Sequence, residues 1–157
     1  FTGDYAGDLL YPTLIDHGFA RGTYRAFPDD GLELVNCRIT NAVRCVPPQN
    51  KPIGAEIAAC RDFLIGEIES LRELKAILAL GRIAHDAVLT SLGARRVAFP
   101  FAHGAVHDIS SRAVLIDSYH CSRYNVNTGR LTAEMFDAVV AQIRVQLDAS
   151  YTPAAPH

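Results

Sequence analysis

The sequence lacks a long apolar run, an export-signal pattern and an excess of positive charge. Its longest apolar runs, residues 76–80 and 114–116, are far too short to span a bilayer, so we expect no membrane partner. The formal net charge of −2 argues weakly against nucleic acid as a partner. It does not exclude one, because phosphate contacts need only a local cluster of cations. Without an export signal we expect a cytoplasmic protein whose four cysteines are metal-bound or inert thiols and not disulfides.

Composition indicates one globular domain. Hydrophobic residues make up 49% of the 157 residues and charged residues 20%, which suits a single well-buried core. We expect that domain over residues 1–150 and a flexible Pro/Ala-rich tail over residues 151–157. The chain starts at Phe1 and enters a loop of glycine and aspartate at once. We therefore expect the domain to be incomplete at its N-terminus.

Apolar spacing predicts alternating helices and strands. The predicted helices cover residues 9–17, 55–73, 82–92 and 132–147. The last has Thr132 as its predicted N-cap and an apolar stripe of Phe136, Val139, Val140, Ile143 and Leu147. The predicted strands cover residues 32–43, 75–80 and 114–119. Such alternation favours an α/β fold with a parallel sheet and helices on both faces. Because active sites of these sheets lie beyond the carboxyl ends of the strands, the segments that follow the strands are expected to converge. These segments are 41–45, 81–82 and 120–125.

Three polar motifs are candidates for chemistry. His120 ends a buried strand and opens a polar loop, where it serves as a hydrogen-bond donor or general acid, or only caps backbone groups. Cys45 and Cys60 lie fifteen residues apart around a proline-rich loop. They either bring two thiolates to one metal or act as small buried apolar residues. The segment over residues 1–8 has two aspartates ahead of the first helix, and Asp8 is best interpreted as complementing the helix dipole.

Taken in order, these motifs resemble the uracil-DNA glycosylase superfamily and match its family 5, the type B enzymes of bacteria and archaea. The resemblance covers nearly the whole chain. The matching strings are Phe1-Thr2-Gly3-Asp4, Asp30-Gly31-Leu32-Glu33-Leu34, Thr40-Asn41-Ala42-Val43-Arg44-Cys45, Pro47-Pro48, Asn50-Lys51-Pro52, Leu80-Gly81-Arg82-Ile83-Ala84, Phe101-Ala102-His103-Gly104, Ser118-Tyr119-His120 and Thr128-Gly129-Arg130-Leu131-Thr132. The resemblance implies a three-layer α/β/α sandwich with a central four-stranded parallel sheet. It also implies a monofunctional glycosylase of base excision repair that hydrolyses the N-glycosidic bond of uracil, and of hypoxanthine or other deaminated bases, to leave an abasic site in DNA.

The resemblance implies a catalytic or substrate-binding role for five residues. Phe1 would stack on an extruded base, with Gly3 beside it in the same segment, and Asp4 would orient the attacking water. Asn41 would read the donor–acceptor edge of uracil. His120 would donate to the 2-oxygen of uracil as negative charge develops there.

Further residues of the motifs are expected at the DNA backbone. Ser122 and Arg123 would lie against phosphates, and Arg82 and Lys51 are additional candidates for such contacts. Asn125 would brace the loop or touch the extrahelical nucleotide. The other histidines are expected to be surface or structural residues: His17, His85, His103 and His107. For His103, which lies in a string shared with the family, a site role is the alternative.

The resemblance also implies a 4Fe-4S cluster with four cysteine ligands. Cys45 and Cys60 match the second pair of ligands, and the first pair is expected upstream of Phe1. Cys37 and Cys121 match no ligand position and are interpreted as ordinary thiols. We expect a structural cluster, because its ligands flank a loop that the DNA-facing segment needs held rigid.

Two alternatives to the repair enzyme stay open at this point. One is a non-catalytic or covalently trapping member of the superfamily that binds uracil-DNA without turnover. The other is a small nucleotide-binding or redox domain that uses the cluster for electron transfer. The leading interpretation predicts a monomer whose partner is DNA that contains uracil or other deaminated bases.

Overall fold

The computed structural model describes residues 5–27, 29–42 and 54–149, and over residues 54–60 it describes the backbone alone. Several predicted site residues lie outside the described residues: Phe1, Gly3, Asp4, Cys45, Lys51 and the side chain of Cys60. The predicted tail over residues 151–157 also lies outside them. In the described ranges no helix combines the length and apolar character that crossing a membrane requires. The chain divides into two compact units, one from residues 1–38 with 118–157 and one from residues 39–117. The single domain over residues 1–150 stays a prediction.

The first unit is built on a helix pair. Its elements are α1 (Tyr5–Asp16), β1 (Ala20–Arg21), β2 (Glu33–Leu34), α4 (Arg123–Asn127) and α5 (Ala133–Ala149). α1 packs against α5 and against β1, and β1 pairs with β2 in an antiparallel ribbon. On α5, four residues of the predicted stripe are buried, Phe136, Val139, Val140 and Ile143, whereas the fifth, Leu147, is half-buried. The predicted N-cap of α5 is also confirmed, since the Thr132 hydroxyl accepts from the Met135 backbone N–H at 3.2 Å.

The second unit contains the main sheet. Its elements are α2 (Gly54–Ser70), β3 (Ala76–Leu80), α3 (Arg82–Ser91), a 3-10 helix (Arg96–Ala98), β4 (Val106–Asp108) and β5 (Val114–Ser118), whose last residue belongs to the first unit. The strand order is β3-β5-β4, so β5 is central. α3 packs against α2 and β3. The buried core is formed by residues of α2, β3, α3 and β5, namely Leu64, Ala79, Ala87, Val88, Leu89 and Leu115.

The α/β class is confirmed, but the described sheet differs from the predicted four parallel strands. It has three strands and is mixed, because β4 turns back on β5 in an antiparallel hairpin that pairs Val106 with Ile116. The three residues of β4, Val-His-Asp, are too few and too polar to show a strand pattern. The strand expected over residues 32–43 reduces, in its described part, to the two residues of β2. Asn36 adopts a left-handed φ of 50° just after β2, which ends the extended segment.

The C-terminus of α1 is closed by a glycine and an arginine. Gly18 has a φ of 71°, and the Phe19 N–H returns to the Leu14 carbonyl at 2.7 Å, so the helix ends in a left-handed cap. Arg144 of α5 donates to the carbonyls of His17 and Gly18 at 2.7 and 3.1 Å. Its guanidinium also lies 4.1 Å from the centroid of the Phe19 ring. This cap therefore joins α1 to α5 as well as ending α1.

The substitution Gly18→Ala is expected to lower the free energy of unfolding by about 1–2 kcal/mol, because a side chain is strained at this left-handed backbone position. A Cβ there would also meet the end of the Arg144 side chain at 3.0 Å. Gly66→Ala is the matched control. Gly66 lies inside α2, and an added Cβ meets nothing within 4 Å. This control should stabilise the protein by about 0.5–1 kcal/mol. Urea unfolding followed by circular dichroism measures both changes, and a Gly18→Ala variant as stable as the parent would contradict the cap.

Candidate functional site

Hydrogen bonds among its own residues fix the conformation of the loop that follows β5. Ser122 precedes α4, and its hydroxyl oxygen accepts from the Asn125 backbone N–H at 3.4 Å, which caps the helix. Its carbonyl oxygen accepts from the Val126 N–H at 3.1 Å. His120, the predicted donor, lies half-buried just before this capped turn. The predicted phosphate contact of Ser122 stays a prediction. Its O–H would be the donor, because a phosphate oxygen only accepts, and the bond from Asn125 leaves that O–H available.

Asn125 forms hydrogen bonds with a residue before it and with a residue after it in the chain. Its side-chain Nδ2 donates to the main-chain carbonyl of His120 at 2.9 Å. Its own carbonyl accepts from the Leu131 N–H at 3.0 Å. Asn125 thus fixes the backbone of His120, which is the bracing role predicted for it. Its alternative contact with an extrahelical nucleotide stays a prediction.

Two arginines near this loop rest on tyrosine rings. The exposed Arg123 places its guanidinium 4.9 Å from the centroid of the Tyr5 ring, and Arg130 lies 4.7 Å from the centroid of Tyr119. Cation–π contact orients a guanidinium while it leaves the charge open to an anion. Tyr124, between these cations in the sequence, is 71% exposed. Arg123 and Arg130 therefore supply local positive charge near the His120 loop, which is what phosphate contacts need in a protein of net charge −2.

The predicted base reader lies in the second unit. Asn41 is exposed there, and the neighbouring Ala42 packs against the core of that unit. Arg82, a predicted phosphate contact, is exposed at the first position of α3. The convergence of Asn41 with His120 stays a prediction, and so do the roles of the residues outside the described ranges.

The two cysteines with described side chains lie in surroundings that favour the neutral thiol. Cys121 is fully buried, and burial raises the pKa of its thiol to about 12, so the thiolate that a metal needs is disfavoured. Burial also raises the pKa of Cys37, whose sulfur donates to the Phe19 carbonyl at 3.1 Å. Both results agree with the interpretation of Cys37 and Cys121 as ordinary thiols. The candidate cluster ligands are the two cysteines whose side chains lie outside the described residues.

The sheet of the second unit encloses a buried carboxylate. Asp117, on the central strand β5, is 0% exposed. One oxygen, Oδ1, lies 2.7 Å from Nδ1 of His85, a residue of α3 that is 1% exposed. The other, Oδ2, lies 2.9 Å from Nε2 of His107 on β4 and 3.3 Å from the backbone N–H of Ala102. The second ring nitrogen of His85 lies 2.9 Å from the Phe99 carbonyl. Every polar atom named here has a hydrogen-bond partner.

His85, His107 and Asp117 are also the described residues that could together hold a metal ion, since their ligand atoms lie within 4.8 Å of one another. The distances between these atoms favour hydrogen bonds over coordination of a metal ion. Two ligands bound at about 2.0–2.2 Å in a tetrahedral site lie well over 3 Å apart, whereas these atoms are 2.7 and 2.9 Å apart. A carbonyl only accepts, so Nε2 of His85 donates to Phe99 and a second proton lies between Nδ1 and the carboxyl group.

His85 and His107, expected to be surface or structural residues, are both structural. Asp117, which bonds to both, was not predicted from the sequence. A signal was present, because Asp117 is the charged residue in the buried strand Val114–Ser118, and a carboxylate is almost never fully buried unless it is paired.

Comparison with known proteins gives the family. The sequence profile of the uracil DNA glycosylase superfamily matches residues 1–144. This chain belongs to that superfamily, as the motifs predicted.

Several relatives that align with about nine tenths of this chain are named type-5 uracil-DNA glycosylases. The chain is 43% identical over 144 residues to the type-5 uracil-DNA glycosylase of Thermus thermophilus, covering 92% of this chain and 65% of the relative. It is 41% identical over 140 residues to the type-5 uracil-DNA glycosylase of Pyrobaculum aerophilum, with 89% and 60% covered. The enzyme of the same name from Mycobacterium bovis is 37% identical over 146 residues, with 92% and 54% covered. The chain thus spans less than two thirds of the length of each of these relatives.

The brace at Asn125 gives a testable prediction. Asn125→Ala removes the donor to the His120 carbonyl, and we expect it to lower the free energy of unfolding by about 1 kcal/mol and to speed amide hydrogen exchange in residues 119–124. Asn127→Ala is the control, because Asn127 is exposed on the same short helix. Exchange followed by mass spectrometry or NMR measures the effect. Equal exchange in the two variants would show that the bond does not restrain the loop.

Proposed function

We propose that this protein is a uracil-DNA glycosylase of base excision repair, which hydrolyses the bond between uracil and deoxyribose and leaves an abasic site. The observation that carries the proposal is the similarity over about nine tenths of the chain to relatives that bear this name. The braced loop around His120 supports it, because that loop holds the residue expected to meet the leaving base. The substrate is DNA that contains uracil, with hypoxanthine and other deaminated bases as further candidates.

The proposed reaction needs an extruded base, a reader and a stabiliser for the leaving group. Phe1, with Gly3 beside it, stacks on the base, and Asn41 pairs with its donor–acceptor edge. Cytosine presents the opposite donor–acceptor pattern and leaves polar groups unpaired, which is the mismatch that costs most. Asp4 orients the water that attacks C1′ and stabilises the positive charge that develops on the sugar.

His120 is the residue proposed to stabilise the departing base. Negative charge spreads onto the 2-oxygen of uracil as the C1′–N1 bond breaks. A donor held in place before the reaction stabilises the transition state more than the ground state, because it does not have to reorganise. The bond from Asn125 to the His120 carbonyl supplies that restraint on the backbone.

The DNA backbone is proposed to meet the cations near the His120 loop. Arg123 is exposed beside the capped turn, and Arg82 is exposed at the start of α3. Ser122, Arg123 and Asn125 follow His120 closely in the chain, so phosphates beside an extruded nucleotide are within the reach of this segment. The proposal includes Lys51 as a further phosphate contact.

We also propose a 4Fe-4S cluster with Cys45 and Cys60 as two of its four ligands and the other pair upstream of Phe1. When bound, the cluster would hold the intervening loop rigid and would take no part in the hydrolysis. The assignment of Cys37 and Cys121 as ordinary thiols, which agrees with their raised pKa values, is consistent with this proposal. A monomer in the cytoplasm of a bacterium or archaeon completes the proposal, and the relatives named above come from such organisms.

The decisive experiment incubates the full-length protein with end-labelled oligonucleotides that carry one uracil, single-stranded or opposite guanine or adenine. We expect free uracil and a strand break that appears only after alkali, which marks an abasic site made without lyase chemistry. Oligonucleotides with hypoxanthine or with thymine at the same position test the substrate range and the background. Absence of free uracil from every substrate would refute the proposal. A complex that survives denaturation would instead identify the trapping alternative.

His120→Ala should lower the single-turnover rate of uracil release by about 10²–10³-fold, because it removes one donor to the developing anion. Asn127→Ala serves again as the control, since Asn127 is exposed on α4 and has no proposed role in the reaction. Circular dichroism verifies that the His120→Ala variant is folded at the assay temperature. A folded His120→Ala variant within a few-fold of the parent rate would remove His120 from the catalytic residues.

A further inference from the structure

Asp117 has no part in the chemistry proposed above, yet it is a centre of hydrogen bonding in the second unit. Its carboxylate oxygens face three nitrogen atoms, of His85, His107 and Ala102, at 2.7, 2.9 and 3.3 Å. Its backbone N–H donates to the Ala105 carbonyl at 3.0 Å, and its carbonyl accepts from the Gly104 N–H at 2.8 Å. Side chain and main chain of one residue therefore hold the turn over residues 102–105 against β5.

The two histidines extend this hold to other elements. His85 connects the carboxylate to α3 and, through the Phe99 carbonyl, to the segment that leads into the turn. His107 connects it to β4, the partner of β5 in the hairpin. The rings of His85 and His107 also meet edge to face, with centroids 5.3 Å apart, and His85 meets Phe101 at 5.5 Å. This network, which we define as Asp117, His85, His107 and the backbone of Ala102, fixes one point of the central strand from three directions.

The chain leaves β5 at Ser118, one residue after Asp117, and reaches His120 two residues later. We propose that Asp117 is a positioning residue for uracil excision. The network fixes the end of β5, and therefore the point from which the His120 loop departs. This inference rests on the proposed function, since it assigns Asp117 a task in that reaction. It predicts that the reaction needs the hydrogen bonds that fix the end of β5, and not the negative charge of Asp117.

The chemistry of the network separates geometry from charge. In Asp117→Asn the new amide oxygen can accept from His107 and Ala102, while the new amide nitrogen faces Nδ1 of His85. A neutral His85 that keeps its Nε2 proton for Phe99 accepts that N–H through Nδ1. Every partner in the network stays satisfied, and the carboxylate charge is lost together with the proton that it shared with Nδ1 of His85. Asp117→Ala instead removes all the side-chain bonds.

The test measures the maximal single-turnover rate of uracil release and the protein concentration that gives half of it. Asp117→Ala should lower the maximal rate about 100-fold and change the half-saturating concentration by less than about threefold, because DNA contacts persist while the donor is misplaced. Asp117→Asn should restore the rate to within a few-fold of the parent. Asp108→Asn, on the exposed face of β4, is the matched control and should leave both quantities unchanged.

His107→Phe provides a second variant in case Asp117→Ala does not fold. It removes one bond to the carboxylate at the network's more accessible side, where His107 is 10% exposed, and should lower the maximal rate less than Asp117→Ala does. NMR of the histidine ring nitrogens gives a readout without activity: His85 should lose its Nδ1 proton in Asp117→Asn and keep its Nε2 proton.

Three outcomes would overturn the assignment. One is a folded Asp117→Ala or His107→Phe variant with the parent rate. Another is an Asp117→Asn variant as slow as Asp117→Ala. The third is a loss of rate in these variants that is fully accounted for by the fraction of protein that is unfolded. An inactive parent protein would refute the proposed function instead, and the NMR result would still report whether the network forms as described.

Discussion

A carboxylate at the centre of a sheet constrains the whole of the second unit. Asp117 is on the central strand and has no solvent contact, so its charge has to be compensated by protein groups alone. Leaving such a charge unpaired costs several kcal/mol, whereas a full set of N–H donors at good distance offsets that cost. The donors come from α3, from β4 and from the turn before β4. These elements are therefore restrained relative to β5 by directional bonds as well as by apolar packing, which is not directional.

The segment after β5 is restrained differently. Here the hydrogen bonds join neutral groups of residues that lie close together in the sequence. They are the Ser122 cap, the bond from the Asn125 amide to the His120 carbonyl, and the backbone bonds of α4. The charged groups, Arg123 and Arg130, lie outside and rest on aromatic rings. These two guanidinium groups supply positive charge locally, so binding of a polyanion is compatible with an overall net charge of −2.

Patterns confined to one element were predictable, and patterns that join elements were not. The stripe on α5 and its Thr132 cap are visible because each residue lies within three or four positions of the next. The α/β class followed from the same local periodicity. The hairpin strand β4 was missed because three residues hold no period. The partners of Asp117 lie 10, 15 and 32 residues away, so no local window contains the network. What the sequence did offer was an aspartate inside an apolar strand, a conflict that only a distant partner resolves.

Stabilising a leaving group by a preplaced donor has a structural consequence in the proposed reaction. Such a donor contributes only if its position is fixed before charge develops, and the imidazole of His120 can be no better placed than its backbone. Asn125 restrains that backbone from five residues downstream. Asp117 restrains the strand from three residues upstream through bonds that never meet the substrate. A residue on either side of His120 thus performs half of the same task, and a defect in either half should appear in the rate of bond cleavage more than in the affinity for DNA.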